Sequence, residues 1–167
     1  YNLYQLSTGD LLRNEIKNKT ELGSKISSIM NAGELVSDNI VSELIEKFVS
    51  NNKYKNKIIF DGYPRNLEQA KNLDKILRSH GQKIDIVLKL SVTLATVKKR
   101  ILERQNQERR ADDNEEIAIK RYKTYENSSL PVLDYYKGFD LLKVVNGEST
   151  ISEINTEISD LIDALKG

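Results

Sequence analysis

The chain has 167 residues, enough for one domain whose core buries about 70% of the unfolded surface. Its 26 Lys and Arg are nearly balanced by 25 Asp and Glu, a net charge of +1, which argues against a general nucleic-acid binder. Cysteine is absent, which excludes disulfides, thiolate catalysis and cysteine metal sites. No apolar run approaches a membrane span and none reads as a signal peptide, so a cytoplasmic protein is expected.

Residues 1–6 lead into Ser7-Thr8-Gly9-Asp10-Leu11-Leu12-Arg13. Ser, Thr and Asp favour helix N-termini. A helix starting here points unpaired N–H groups and the Thr8 hydroxyl forward, an arrangement that attracts anions, and Arg13 lies one turn further on. A plain capped helix accounts for the same residues. Leu22, Ile26, Ile29 and Met30 have helical spacing. Ala32-Gly33 ends that helix and Glu34-Leu35-Val36 is a connector. Ser37 or Asp38 caps the next helix, whose broad apolar face (Ile40, Val41, Leu44, Ile45, Phe48, Val49) belongs in the core. Residues 7–36 read as a small helical excursion before the next strand.

Ile58-Ile59-Phe60 is a short unbroken apolar run, the pattern of a strand covered on both faces. Asp61 places a charge where the strand ends, and Gly62 and Pro64 force a turn. In open α/β sheets ligands sit at the carboxyl ends of strands, where Asp61 and Arg65 could hold a metal–phosphate ligand between them. Taken alone, the pair is better explained as an acidic strand end and a surface Arg, because charges at such places are most often structural. Leu67, Ala70, Leu73, Ile76 and Leu77 mark a helix with Gln69 in its first turn, ended near His80-Gly81. Ile84–Leu90 reads as a second strand, and Thr93 can cap a helix carrying Val97, Ile101 and Leu102 inward. Alternating strand and helix predicts a parallel sheet with helices on both faces.

Residues 98–121 hold the densest charge. Arg100 and Arg104 are one helical turn apart, and Gln105–Glu108 read as an exposed loop. Asp112-Asp113-Asn114-Glu115-Glu116 opens a further helix, acidic in its first turn as the dipole favours. Arg110 and Arg121 flank that helix start and its third turn. Arginine forks suit polyphosphate, while a solvated pair of charged helices is the alternative. Pro131 starts a short helix ending at Gly138, in which Tyr135 and Tyr136 are packing residues. Leu141–Val145 is a third strand and Asn146-Gly147 turns the chain. Thr150 and Glu153 form a capping box for the amphipathic helix carrying Ile151, Ile154, Ile158, Leu161, Ile162 and Leu165. No linker, internal repeat or low-complexity segment is present.

Together, Ser-Thr-Gly-Asp-Leu-Leu-Arg at 7–13, Phe-Asp-Gly-Tyr-Pro-Arg at 60–65 with Gln69 behind it, Arg-Arg-Ala-Asp-Asp-Asn at 109–114, and Arg121 resemble the adenylate kinase family. Their order and spacing fit nearly the full chain. The resemblance implies a P-loop kinase-like three-layer α/β fold, with 7–36 as the AMP-binding subdomain and 104–112 as a short lid lacking a zinc site. It implies AMP contacts from Thr8, Arg13, Glu34, Leu35 and Val36, phosphate contacts from Gly62, Tyr63, Pro64 and Arg65, and adenine recognition by Gln69. ATP would meet Arg104 and Arg100, with the Gly147–Ser149 turn against its base. Arg110 and Arg121 would clamp the transferring phosphoryl group, and Asp61 would orient water around Mg²⁺. The implied partners are ATP, AMP and ADP, in a monomer, and the Tyr63–Pro64 bond is expected to be cis.

One feature departs from the family pattern. No G-x-x-x-x-G-K occurs in the 167 residues, although the family places one after a first strand. The chain begins where the helix after that loop should end. The expectation is therefore part of a complete kinase, with the first strand and phosphate loop lacking here, a central strand position unfilled, and little or no activity as it stands. Three other readings stay open. One is a UMP/CMP kinase, which Gln69 and Thr8 disfavour because such kinases resemble this pattern with Asn and Ala there. Another is a non-catalytic nucleotide-binding module, and the third is a purely structural helical domain.

Overall fold

The computed structural model describes residues 1–32, 34, 36–108 and 114–165. Among the described residues, four short strands, β1 (Tyr4–Ser7), β2 (Ile58–Asp61), β3 (Val87–Ser91) and β4 (Leu142–Asn146), pair as two separate parallel ladders, β1 with β2 and β3 with β4. Parallel strands need crossover connections, and helices supply them. Between β1 and β2 lie α1 (Thr8–Lys17), α2 (Glu21–Asn31) and α3 (Asp38–Val49). Between β2 and β3 lies α4 (Leu67–Ser79), and between β3 and β4 lie α5 (Leu94–Glu108), α6 (Glu115–Thr124) and α7 (Leu130–Lys137). The final helix is α8 (Ile151–Ala164). This is the α/β arrangement of parallel strands flanked by helices that the alternating pattern predicts.

The main core gathers Leu6 of β1, Leu12 of α1, Ile26 of α2, Ile45 of α3 and Leu73 of α4, all buried. The 3.6-residue spacing of their helices turns these side chains to one side. A second cluster of Ala70, Val132 and Tyr136 fastens α4 to α7. There the Tyr135 and Tyr136 hydroxyls donate to the two oxygens of Asp74 at 2.8 and 3.3 Å, so both tyrosines are structural.

Several elements differ from the sequence expectation. β1 carries no sequence signal strong enough to name it. Four residues are too few for a period, and the strand exists because Tyr4 through Ser7 lie in register with Ile58 through Asp61. β3 starts at Val87 rather than Ile84, whose side chain is spent on packing against both core clusters. Gln105–Glu108 continue α5 instead of forming a loop; Gln and Glu are good helix formers, and no Gly or Pro intervenes. Asn114 is the N-cap of α6, accepting from the Ile117 N–H at 2.9 Å. A π-helical turn, Tyr125–Ser129, joins α6 to α7. The apolar stripe of α8 is only partly covered, with Ile151 88% and Leu165 50% exposed, because the helix rests chiefly on β4.

Candidate active site

β1 and β2 end side by side, Ser7 opposite Asp61, and a cleft of about 240 Å³ opens at those carboxyl ends. Ser7 is also the N-cap of α1, its hydroxyl accepting from the Asp10 N–H at 3.3 Å. One corner of the cleft therefore combines a strand end with a helix N-terminus, where backbone N–H groups favour an anion.

Four arginines from different elements line the cleft: Arg13 of α1, Arg65 of the β2–α4 turn, Arg104 of α5 and Arg121 of α6. Arg13 and Arg121 are the two whose charges act on Arg65. Protein packed around Arg65 pushes its guanidinium pKa down from the ordinary value, by burial first and then by the charges of Arg121 and Arg13; Asp61 works in the opposite direction. Arg65 nonetheless remains charged, as guanidinium does in proteins, and keeps an outer face open to solvent. Two glycines make room for these planes. A Cβ on Gly9 would lie 3.1 Å from Arg13 Nη2, and one on Gly62 would lie 3.0 Å from Arg65 Nη2. Gly62 also has φ +68°, which L side chains rarely adopt. Its carbonyl accepts from Arg65 Nε at 2.6 Å and from the Thr8 hydroxyl at 3.3 Å. Arg13 is itself held by Asp10.

The Tyr63–Pro64 bond is cis, as expected. Asp61 is exposed, and one of its oxygens accepts from Gln5 Nε2 at 2.8 Å. Sequence alone did not single out Gln5. Its place opposite Ile59 puts it two positions from Asp61 on the same sheet face. The inner wall is apolar, from Met30, Val36 and Val41, and Gln69 closes it as a buried polar side chain. Glu34 stands at the rim, paired with Lys120 of α6 at 3.2 Å, and Lys120 also donates to the Ala32 carbonyl at 2.8 Å.

Of the expected residues, Thr8, Arg13, Glu34, Val36, Asp61, Gly62, Tyr63, Arg65, Gln69, Arg104 and Arg121 share this cleft. Pro64 sits within its turn. Arg100 and Gly147 meet elsewhere, at the end of β4, where Arg100 Nη2 donates to the Gly147 carbonyl at 2.7 Å. The Ser149 N–H donates to the Asn146 carbonyl in the same turn at 3.4 Å. Leu35 and Arg110 lie outside the described residues, as do all of residues 109–113, which include the 109–112 part of the expected lid. Among the described residues no group of three or more His, Asp or Glu is placed to hold a metal ion, and no helix is long and apolar enough to cross a membrane.

Parallel strands flanked by helices, with an arginine-lined cleft at the strand carboxyl ends, define an α/β fold of the P-loop kinase class. A sequence model of the family described as adenylate kinase matches residues 1–141. An adenylate kinase of Pelagibacter ubique is 37% identical over 188 aligned positions, covering 97% of this chain and 88% of the relative. One of Porphyromonas gingivalis is 39% identical, covering 99% and 86%, and one of Leptospira biflexa is 40% identical, covering 95% and 85%. The chain belongs to the adenylate kinase family.

Proposed function

We propose that the protein carries out reversible phosphoryl transfer from ATP to AMP, giving two ADP. The observation that carries this reading is the convergence of Arg13, Arg65 and Arg121 on one cleft beside Asp61 and Gln69. Three mutually repelling cations held at a helix N-terminus are matched by a dianionic phosphate, and a buried amide over an apolar wall is matched by a nucleobase.

In this reading AMP lies between the Met30, Val36 and Val41 wall and Gln69, with backbone of the 34–36 connector, Leu35 included, against its base and ribose. Thr8, Arg13 and Arg65 hold its phosphate over the Gly62-Tyr63-Pro64 turn. Arg104 and Arg100 meet ATP, whose base rests on the turn containing Gly147 and Ser149. An oxygen of the AMP phosphate attacks the terminal phosphorus of ATP; the new P–O bond forms as the bond to the β–γ bridging oxygen breaks, and ADP leaves with that electron pair. Arg121 and Arg110 offset charge on the moving group. Alignment and charge neutralisation supply the rate, with no covalent enzyme intermediate. Asp61 fits a magnesium site through water, since it is an exposed hard oxygen donor oriented by Gln5. Mg²⁺ arriving with ATP supplies neutralisation of the phosphate oxygens. The reading carries with it a cytoplasmic monomer and needs no zinc.

A coupled assay with AMP, UMP and CMP tests the assignment: kcat/KM should be highest with AMP. Comparable turnover of UMP or CMP makes it a pyrimidine kinase. AMP binding by calorimetry without turnover in the full-length protein makes it a non-catalytic module.

A further inference from the structure

We propose that Asp38, at the start of α3, is a positioning residue that locks the Gln69 amide so that the cleft accepts a 6-amino purine and rejects a 6-oxo purine. The inference rests on the reading of this cleft as a nucleobase site and adds what sets its selectivity.

Gln69 is 3% exposed. Its Oε1 accepts from the Arg65 backbone N–H at 2.7 Å, and its Nε2 donates to Asp38 Oδ1 at 2.7 Å. A backbone N–H can only donate and a carboxylate can only accept. The flipped amide would set donor against donor and acceptor against acceptor, so one orientation is imposed. Asp38 reinforces it through a second amide. Asn66 Nδ2 donates to both Asp38 oxygens at 3.1 Å, while Asn66 Oδ1 caps α4 by accepting from the Gln69 N–H at 2.8 Å. One carboxylate on α3 thereby ties down both side-chain amides at the start of α4.

With those bonds made, Gln69 keeps one N–H and one lone pair. A purine with a 6-amino group offers a donor at N6 and an acceptor at N1, the complement of that pair. A 6-oxo purine offers an acceptor at O6 and a donor at N1, the reverse order. An amide free to flip serves both; a locked amide serves one and leaves the other with opposed donors and acceptors, the arrangement that makes hydrogen-bonded sites selective.

The test measures KM and kcat with AMP and with IMP in the full-length protein for wild type, Asp38→Ala, Asp38→Asn and Gln69→Leu, with thermal melting of each. Asp38→Ala should lower the AMP-over-IMP ratio of kcat/KM by about tenfold or more, mainly through KM, with kcat at saturating AMP within about threefold. Asp38→Asn keeps one acceptor oxygen and should stay within about threefold of wild type in that ratio. Adding Asp38→Ala to Gln69→Leu should change the ratio no further. If Gln69→Leu collapses the ratio but Asp38→Ala and Asp38→Asn leave it unchanged, the locking role is overturned while the nucleobase reading stands. If Gln69→Leu leaves both the ratio and the AMP KM unchanged, the nucleobase reading itself fails. Should Asp38→Ala melt early, its ratio is read at a temperature well below its Tm, where the variant is folded: an about tenfold lower ratio there supports the lock, and a ratio equal to wild type overturns it.

Discussion

Arg65 lies beside Arg13 and Arg121, whose charges oppose its own, and it is open to solvent, so it contributes little to stability. Arg65→Ala should leave Tm unchanged or higher, while turnover falls about 10²–10³-fold, the usual loss when one positioned donor to developing charge is removed. Melting curves beside steady-state rates check this; a Tm several degrees lower would mean that Arg65 is needed for folding. Gly147 is a contrasting case of pure sterics. A Cβ there would lie 2.5 Å from Val92 Cγ1 and 3.0 Å from the Ser91 carbonyl oxygen, so Gly147→Ala should destabilise by about 1–3 kcal/mol, read as a lower urea midpoint with unchanged slope. Thr8, Arg13, Arg65 and Gln69 were recognisable from the sequence because each falls within a short motif. Asp38 was not: it looks like an ordinary helix-start acid, and its partners are 28 and 31 residues away.

The start of α5 depends on a residue from another loop. Glu148, just after β4, accepts from the Thr93 N–H at 2.6 Å and from the Thr96 hydroxyl at 2.5 Å. The Thr96 hydroxyl, followed by the Thr93 N–H, holds its carboxyl below the usual value of 4.5. A depressed carboxylate stabilises the fold above its unfolded pKa, and that contribution is lost as pH falls through the folded one. The Tm difference between wild type and Glu148→Gln should therefore be largest at neutral pH and shrink from about pH 4.5 downward; a difference independent of pH would contradict the cap. Lys120 plays a similar cross-element part, tying α6 to the end of α2 and to Glu34. Lys120→Ala should change Tm by little, since exposed pairs contribute about 1 kcal/mol or less. It should raise the AMP KM a few-fold, because Glu34 and the connector then lose their tie to α6. α3 and α4 were legible because long periodic faces outweigh local ambiguity, and α8 because of its capping box. β1 and the last turn of α5 were not: one owes its existence to a partner 54 positions away, and the other has polar residues that suit a loop or an exposed helix equally.

The β1–β2 ladder and the crossover helices bring residues as distant in sequence as Ser7 and Arg121 to one cleft, so a ligand bound there would be linked to global stability. A nucleotide that binds only the folded state adds about 2.7 kcal/mol at 100 times its Kd. AMP should accordingly raise Tm progressively with concentration, and Arg13→Ala should blunt that rise; a Tm indifferent to AMP would sink the cleft as a nucleotide site. By itself, the sequence determined the α/β class, the amphipathic helices, the glycine–proline turn after β2 and the family, because capping chemistry, periodicity and motif spacing are properties of short stretches. Only the tertiary structure decided that Ser7 faces Asp61, that Arg121 returns to Arg13 and Arg65, and that Asp38 fixes the Gln69 amide. Those juxtapositions follow from strand register and from the packing of α3 on α4, which no local stretch of sequence contains.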